Sequence, residues 1–167
     1  MSAQGTPASK VDVRCGRMTR QTAGAARALL AAFLDSDAHY RASAARYGDG
    51  GAAALDRAID LFLDRPEIGF VWVAQVDGRA VGACVVCYAI STSRGTLVAK
   101  LDDVTVHPQW QGQGVGGAML EALRSHLRGS GMSRIDCGCH RDNAGAWRFY
   151  ERLGFIPLDE ERLALLI

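Results

Sequence analysis

The chain of 167 residues carries 19 Lys and Arg against 18 Asp and Glu, with the two signs interspersed, so no basic stripe for nucleic acid or anionic lipid is expected. A chain of this length buries roughly 70% of its unfolded surface as one domain and needs neither disulfides nor a metal to fold. No apolar run approaches the roughly 18 residues of a membrane span, MSAQGTPASK lacks the apolar core of a signal peptide, and the odd set Cys15, Cys84, Cys87, Cys137 and Cys139 reads as reduced thiols of a cytoplasmic protein.

Residues 1–10 read as a disordered lead-in and 11–167 as a single domain. VDVRCGRM predicts a first strand, and apolar residues at helical spacing predict a helix over residues 19–34 with Thr19 or Thr22 as N-cap. HYRASAARYGDGG reads as a helix end and a loop. AAALDRAIDLFLD places Leu55, Ile59, Phe62 and Leu63 on one face of a second helix, stopped by Pro66. FVWVAQV and AVGACVVCYAI flank the turn signal Asp77-Gly78 and predict an antiparallel hairpin. VAKLDDVTV predicts a further strand, and residues 115–128 an amphipathic helix striped by Met119, Leu120, Leu123 and Leu127. IDCGCH reads as a strand, residues 144–153 as a helix between the cap Asn143 and the stop Gly154, and RLALLI as a closing strand. Strand, two helices, three strands, helix, strand, helix, strand argues for one α/β domain on a mixed sheet.

VHPQWQGQGVGGAML, residues 106–120, sets four glycines within six positions ahead of the apolar helix. Gly112-x-Gly114-x-x-Gly117 satisfies the dinucleotide fingerprint literally. In that fingerprint the turn follows its strand almost at once, whereas residues 107–111 intervene here and too few strands follow. A ligand-free flexible loop is the other reading. Against it, glycine inside a helix costs about 1 kcal/mol relative to alanine, and Gly116 and Gly117 fall where the helix begins. Free backbone N–H groups at a helix N-terminus cradle phosphate, helped by the helix dipole, so a pyrophosphate-bearing ligand accounts for the glycines.

Gln111-x-x-Gly114-x-Gly116 resembles the Gln/Arg-x-x-Gly-x-Gly/Ala signature of the GNAT superfamily of N-acetyltransferases. NAGAWRFYERLGF, residues 143–155, is similar to the second motif of that superfamily, Asn-x-x-Ala-x-x-x-Tyr-x-x-x-Gly-Phe. The resemblance covers residues 101–155 well and the first half only by order of elements. It implies a single-domain α/β fold: a mixed, mostly antiparallel twisted sheet, helices on both faces, and a splay between the fourth and fifth strands. It also implies acetyl-CoA as acetyl donor, with Gln111, Gly112, Gln113, Gly114, Val115, Gly116, Gly117 and Asn143 at the cofactor. Gln111 stands where Arg is more common, which would weaken one phosphate contact.

Within VAKLDDVTV, strict alternation would put Leu101 on the face opposite Val104 and Val106, although all three look like core residues. A bulge at Asp102-Asp103 reconciles them. The resemblance implies the same bulge, with the thioester and pantetheine in the splay and paired with the backbone at Val104 and Val106. Asp102 and Asp103 read either as solvated edge protection or as groups that hold a cationic amine and guide its proton out, best through water unless burial raises a carboxyl pKa. Tyr150 either extends the core stripe of its helix or, by resemblance, protonates the departing CoA thiolate.

Cys84-x-x-Cys87 points to opposite faces of a strand and does not read as a zinc site. His107 and His140 are assigned no role, and Trp110 and Trp147 read as packing residues. Two functional classes follow: an N-acetyltransferase acting on a small-molecule or peptide amine by direct attack, or a non-catalytic acyl-CoA-binding protein. Neither calls for nucleic acid or membrane, and the apolar C-terminal strand offers a homodimer surface.

Overall fold

The computed structural model describes residues 11–160 and 163–166. The order is β1 (Arg14–Arg17), α1 (Ala23–Ser36), α2 (Ala38–Tyr47), α3 (Gly51–Asp64), β2 (Gly69–Val76), β3 (Arg79–Ser91), β4 (Thr96–Val106), a 3-10 turn (Pro108–Trp110), α4 (Val115–Gly129), β5 (Ile135–Cys137) and α5 (Ala144–Arg152). The strands form one sheet in the order β1-β2-β3-β4-β5. All neighbours are antiparallel except β4 and β5. The expected α/β domain on a mixed, mostly antiparallel sheet is therefore present.

Asp77 and Gly78, at φ 48° and 75°, make the β2–β3 turn, because positive φ at both central residues matches the right-handed twist of the strands. Along β2, Phe70 and Trp72 enter a core with Met119, Leu120, Leu123 and Leu127 of α4, whereas Val71 and Val73 enter a second core with Leu29 and Leu30 of α1 and Ile59 of α3. A strand covered on both faces alternates between two apolar environments, which is why FVWVAQV shows almost no polar alternation.

Two expectations are corrected. HYRASAARY is not the end of a longer helix but a separate one, α2: Asp37 takes an extended conformation and its side chain accepts from the Tyr40 amide at 2.7 Å. Asp at an N-cap offers the backbone a local partner that both ends one helix and starts the next. Three helices therefore precede β2. At the other end, residues 163–166 of the expected closing strand lie in no strand, and Leu163, Leu165 and Leu166 are exposed. A short apolar run does not specify a strand without a ladder partner, and leucine and alanine bring little β preference of their own. The expected lead-in and residues 162 and 167 of RLALLI lie outside the described residues.

Arg17 closes the sheet at the end of α4. Its guanidinium lies 4.2 Å from the Phe70 ring centroid and donates to Tyr88 Oη at 2.8 Å and His126 Nε2 at 3.2 Å. The His126 ring lies against Trp72, with centroids 5.0 Å apart. Burial, and then the Arg17 charge, hold the His126 pKa below its ordinary value. A depressed imidazole pKa means that the unfolded chain binds the proton more readily. This contribution is complete above the ordinary value of about 6.5 and is lost as pH falls through the native pKa. Thermal melts from pH 7.5 to 5 should show the wild type losing stability more steeply than His126→Asn; parallel slopes would refute this.

The β4 bulge positions the site. Ala83 pairs with Thr105 and Val85 with Asp102, so Asp103 and Val104 together face Cys84. Asp103 sits at φ 48°. The extra residue brings Leu101, Val104 and Val106 to the same core, as their hydrophobicity requires. Pairing of β4 with β5 stops at Leu101–Cys137, immediately before the bulge. The two strands then part.

Candidate active site

A cleft of about 640 Å³ opens beside the parting strands and brings together segments distant in sequence. Of the residues singled out in the sequence, Val104, Val106, Gln111, Gly112, Gly114, Val115, Gly116, Gly117, Asn143 and Tyr150 line it. Gln113, Asp102 and Asp103 do not.

The glycines meet three separate requirements. Gly112 and Gly114 have φ of 73° and 82°, conformations that other residues adopt only with strain. A Cβ at Gly116 would lie 3.3 Å from the Phe149 ring and 3.5 Å from Val106 Cγ2, so this glycine lets α5 close on α4. Gly117 has open space around its Cβ position. The Ala118 amide donates to Gly114 O at 3.0 Å. The N–H groups of Val115, Gly116 and Gly117 precede that bond and have no partner within the helix. Gly114 supplies no side-chain cap, and the first turn has no acidic residue. The result is an open, positively polarised helix end at the cleft.

Gln111 Nε2 donates to Val106 O at 2.9 Å and Gln113 Nε2 to Gln109 O at 2.7 Å. Both side chains tie the loop to itself. His107 caps the 3-10 turn, its Nδ1 accepting from Gln109 N at 3.3 Å. Asn143 Oδ1 caps α5 by accepting from Ala146 N at 3.0 Å, leaving its amide group for other partners. The His107 amide donates to Val81 O at 2.8 Å. Successive strand amides alternate in direction, so the Val106 N–H points away from β3 and into the gap.

Tyr150 is half-buried, with ring centroids 5.3 Å from both Phe149 and Phe155. Burial raises its phenol pKa, and the nearby Cys137, Cys139, Cys84 and Asp102 add to the effect. The hydroxyl thus stays protonated throughout the neutral range. Behind the gap, burial foremost, then the charges of Asp102 and Asp37, push the Asp103 carboxyl up to about 6. That shift meets the condition under which a carboxylate becomes a useful base. Burial also pushes the Cys137 thiol up to about 11, which suppresses thiolate formation.

Sequence reasoning missed Arg152 and Phe149, which line the cleft; Trp110 packs against the core as expected and lines the cleft as well. On α5, Ala146, Phe149, Tyr150 and Leu153 line the cleft at helical spacing, with Arg152 beside them. That period extends the Asn143–Tyr150 motif and was the available signal. Trp147 is half-buried outside the cleft lining, its Nε1 donating to His140 O at 2.9 Å.

A family model described as Acetyltransferase (GNAT) family matches residues 37–155. The chain belongs to that family. An uncharacterized N-acetyltransferase of Methanocaldococcus jannaschii is 34% identical over 95 residues, covering 56% of this chain and 41% of that protein. A mycothiol acetyltransferase of Nocardiopsis dassonvillei is 39% identical over 109 residues, covering 64% and 33%. The chain thus spans less than half the length of these curated relatives. Among solved structures, AAC(6')-Iy in complex with the bisubstrate analogue CoA-S-monomethyl-acetylneamine has a TM-score of 0.75 at 15% identity, covering 92% of this chain and 97% of that one. Ribosomal-protein-alanine N-acetyltransferase from Brucella melitensis biovar Abortus 2308 has a TM-score of 0.70 at 16% identity, covering 93% and 99%. At such identities the likeness is one of fold.

Proposed function

We propose that the protein is an acetyl-CoA-dependent N-acetyltransferase that transfers acetyl to a primary amine by direct attack in a ternary complex. The observation that supports this most strongly is the single cleft lined by the open N-terminus of α4, the part of β4 beyond its pairing with β5, and Tyr150. The bare backbone at Gly114, Gly116 and Gly117 fits a pyrophosphate, with Gly112, Val115 and the Gln111 and Gln113 backbone completing the loop. Asn143 and Arg152 flank the same ligand. The backbone at Val104 and Val106 borders the pantetheine arm, and the Val106 N–H polarises the acyl carbonyl. When bound, acetyl-CoA supplies the activated acyl group.

Asp103, with Asp102 beside it, holds the incoming ammonium and accepts its proton through water; Tyr150 returns a proton to the leaving thiolate. The charge of Asp37, Asp102 and Asp103 favours a small cationic acceptor over a neutral one. The two solved neighbours differ in their stated substrates, one bound to an acetylneamine analogue and one named for ribosomal-protein alanine, so fold alone does not select the acceptor. No helix among the described residues is long and apolar enough to cross a membrane; the reading places the enzyme in the cytoplasm, with the exposed leucines 163, 165 and 166 as the surface for a homodimer.

Steady-state release of CoA thiol with a panel of amines tests the reaction. Acetyl-CoA binding without turnover on any amine would return the protein to the non-catalytic class. Asp103→Asn supplies a second test with opposed effects. A carboxyl raised to about 6 carries a growing cost of buried charge as pH rises from about 4 to 6, and the full cost above. The variant should therefore melt higher than wild type at pH 8 but not at pH 4, while kcat/KM for a cationic amine falls about tenfold or more. Unchanged kinetics would leave Asp103 without a role in transfer.

A further inference from the structure

Among the described side chains of helix α2, Ala44 is buried and the Tyr40 ring lies 6.2 Å from that of Phe33 on α1. Polar and ring contacts tie the helix to the loop after β5, and its first residues approach β4. At its start, the Asp37 cap is near enough to the β4 bulge to act on the Asp103 carboxyl. Midway along, Ser43 Oγ lies 2.7 Å from His140 Nε2, a contact between residues 97 positions apart. The His39 ring lies against that of His140, with centroids 5.3 Å apart and a tilt of 34°. His39 and Ser43 are one helical turn apart and share a face. His140 follows β5 by three residues, and its carbonyl accepts from Trp147 of α5. One end of α2 thus addresses β4 and one face of it addresses the loop after β5.

We propose that α2 is a strap across the acceptor entrance, and that the contact of Ser43 and His39 with His140 sets the width of that entrance. Ser43 and His140 are then positioning residues that govern which amines are admitted; neither touches the reacting atoms. The inference rests on reading the β4–β5 gap as the site of acyl transfer. A hydroxyl both donates and accepts, so Ser43 pairs with either neutral tautomer of His140. With the contact removed, the face of α2 toward His140 loses its tie to the loop after β5, and a small amine must bear the ordering of the entrance on binding. A bulky amine meets less steric exclusion.

The test uses acetyl-CoA with propylamine as the small acceptor and spermine as the bulky one. Ser43→Ala should raise KM for propylamine about threefold to tenfold, the range expected for one lost hydrogen bond. It should shift the kcat/KM ratio toward spermine by a similar factor and leave acetyl-CoA affinity and kcat within about twofold. His140→Ala should reproduce both changes, and Ser43→Thr, which keeps the hydroxyl, should restore wild-type selectivity. Turnover by both alanine variants with unchanged KM and selectivity would overturn the strap alone. A matching loss of acetyl-CoA affinity would also overturn it, since the contact would then support the cofactor cleft. Failure of the wild type to acetylate either amine, or any other in the panel, would remove the acyl-transfer reading and the strap together.

Discussion

Gly117→Glu is expected to abolish acetyl-CoA binding without unfolding the protein. Nothing lies within 4 Å of a Cβ at this position, and its backbone is not in the left-handed region. Replacing a helical glycine removes a cost of about 1 kcal/mol, and a carboxylate in the first turn of α4 interacts favourably with the helix dipole. The melting temperature should hold or rise. The same carboxylate competes for the N–H groups of Val115 and Gly116 and repels a pyrophosphate. Charge-assisted hydrogen bonds are worth about 1.5–3 kcal/mol each, so loss of two implies at least about a hundredfold weaker binding. Calorimetry on Gly117→Glu, with Gly117→Ala as the neutral control that keeps affinity within a few fold, decides the matter. Gly116→Glu is a poorer test, because its side chain would collide with Phe149 and confuse folding with binding. Unchanged affinity in a folded Gly117→Glu would move the phosphate site elsewhere.

Tyr150→Phe should lower kcat by about 10² to 10⁴-fold, the usual worth of general-acid assistance, while acetyl-CoA affinity is retained. The phenyl ring keeps its place between Phe149 and Phe155, so the substitution removes the hydroxyl and little packing. Because burial holds the wild-type phenol protonated well into the alkaline range, its titration should add no fall in kcat between pH 7 and 9. Single-turnover measurements isolate the chemical step from product release. Wild-type turnover in that assay would return Tyr150 to the core stripe.

The legible features share one property: each is settled by neighbours within about one turn or one strand. The Asp77-Gly78 hairpin, the Asn143 cap, the amphipathic stripe of α4 and the glycines at its start are local backbone requirements. Even the bulge was legible to within one residue, expected at Asp102-Asp103 and found at Asp103-Val104, because Leu101, Val104 and Val106 cannot reach one core under strict alternation. The match of Gln111-x-x-Gly114-x-Gly116 with the Asn143–Tyr150 motif then pointed to the family, since both motifs line one cleft.

What remained hidden depends on groups brought together from far along the chain. Helix α2 has too little apolar face to announce itself; Asp37 caps it, Tyr40 meets Phe33 on α1 and Ser43 meets His140 across 97 positions. The aspartates looked equivalent in sequence, yet folding half-buries Asp103 close to the charges of Asp102 and Asp37, which pushes its carboxyl up to about 6. The run at residues 163–166 looked like a strand because hydrophobicity is visible in a sequence, whereas a ladder partner is not. Sequence determined the motifs and the backbone freedom they require. Tertiary structure alone decided which charges are desolvated, what faces the gap and what bounds its entrance, because burial and electrostatic coupling are properties of proximity in space.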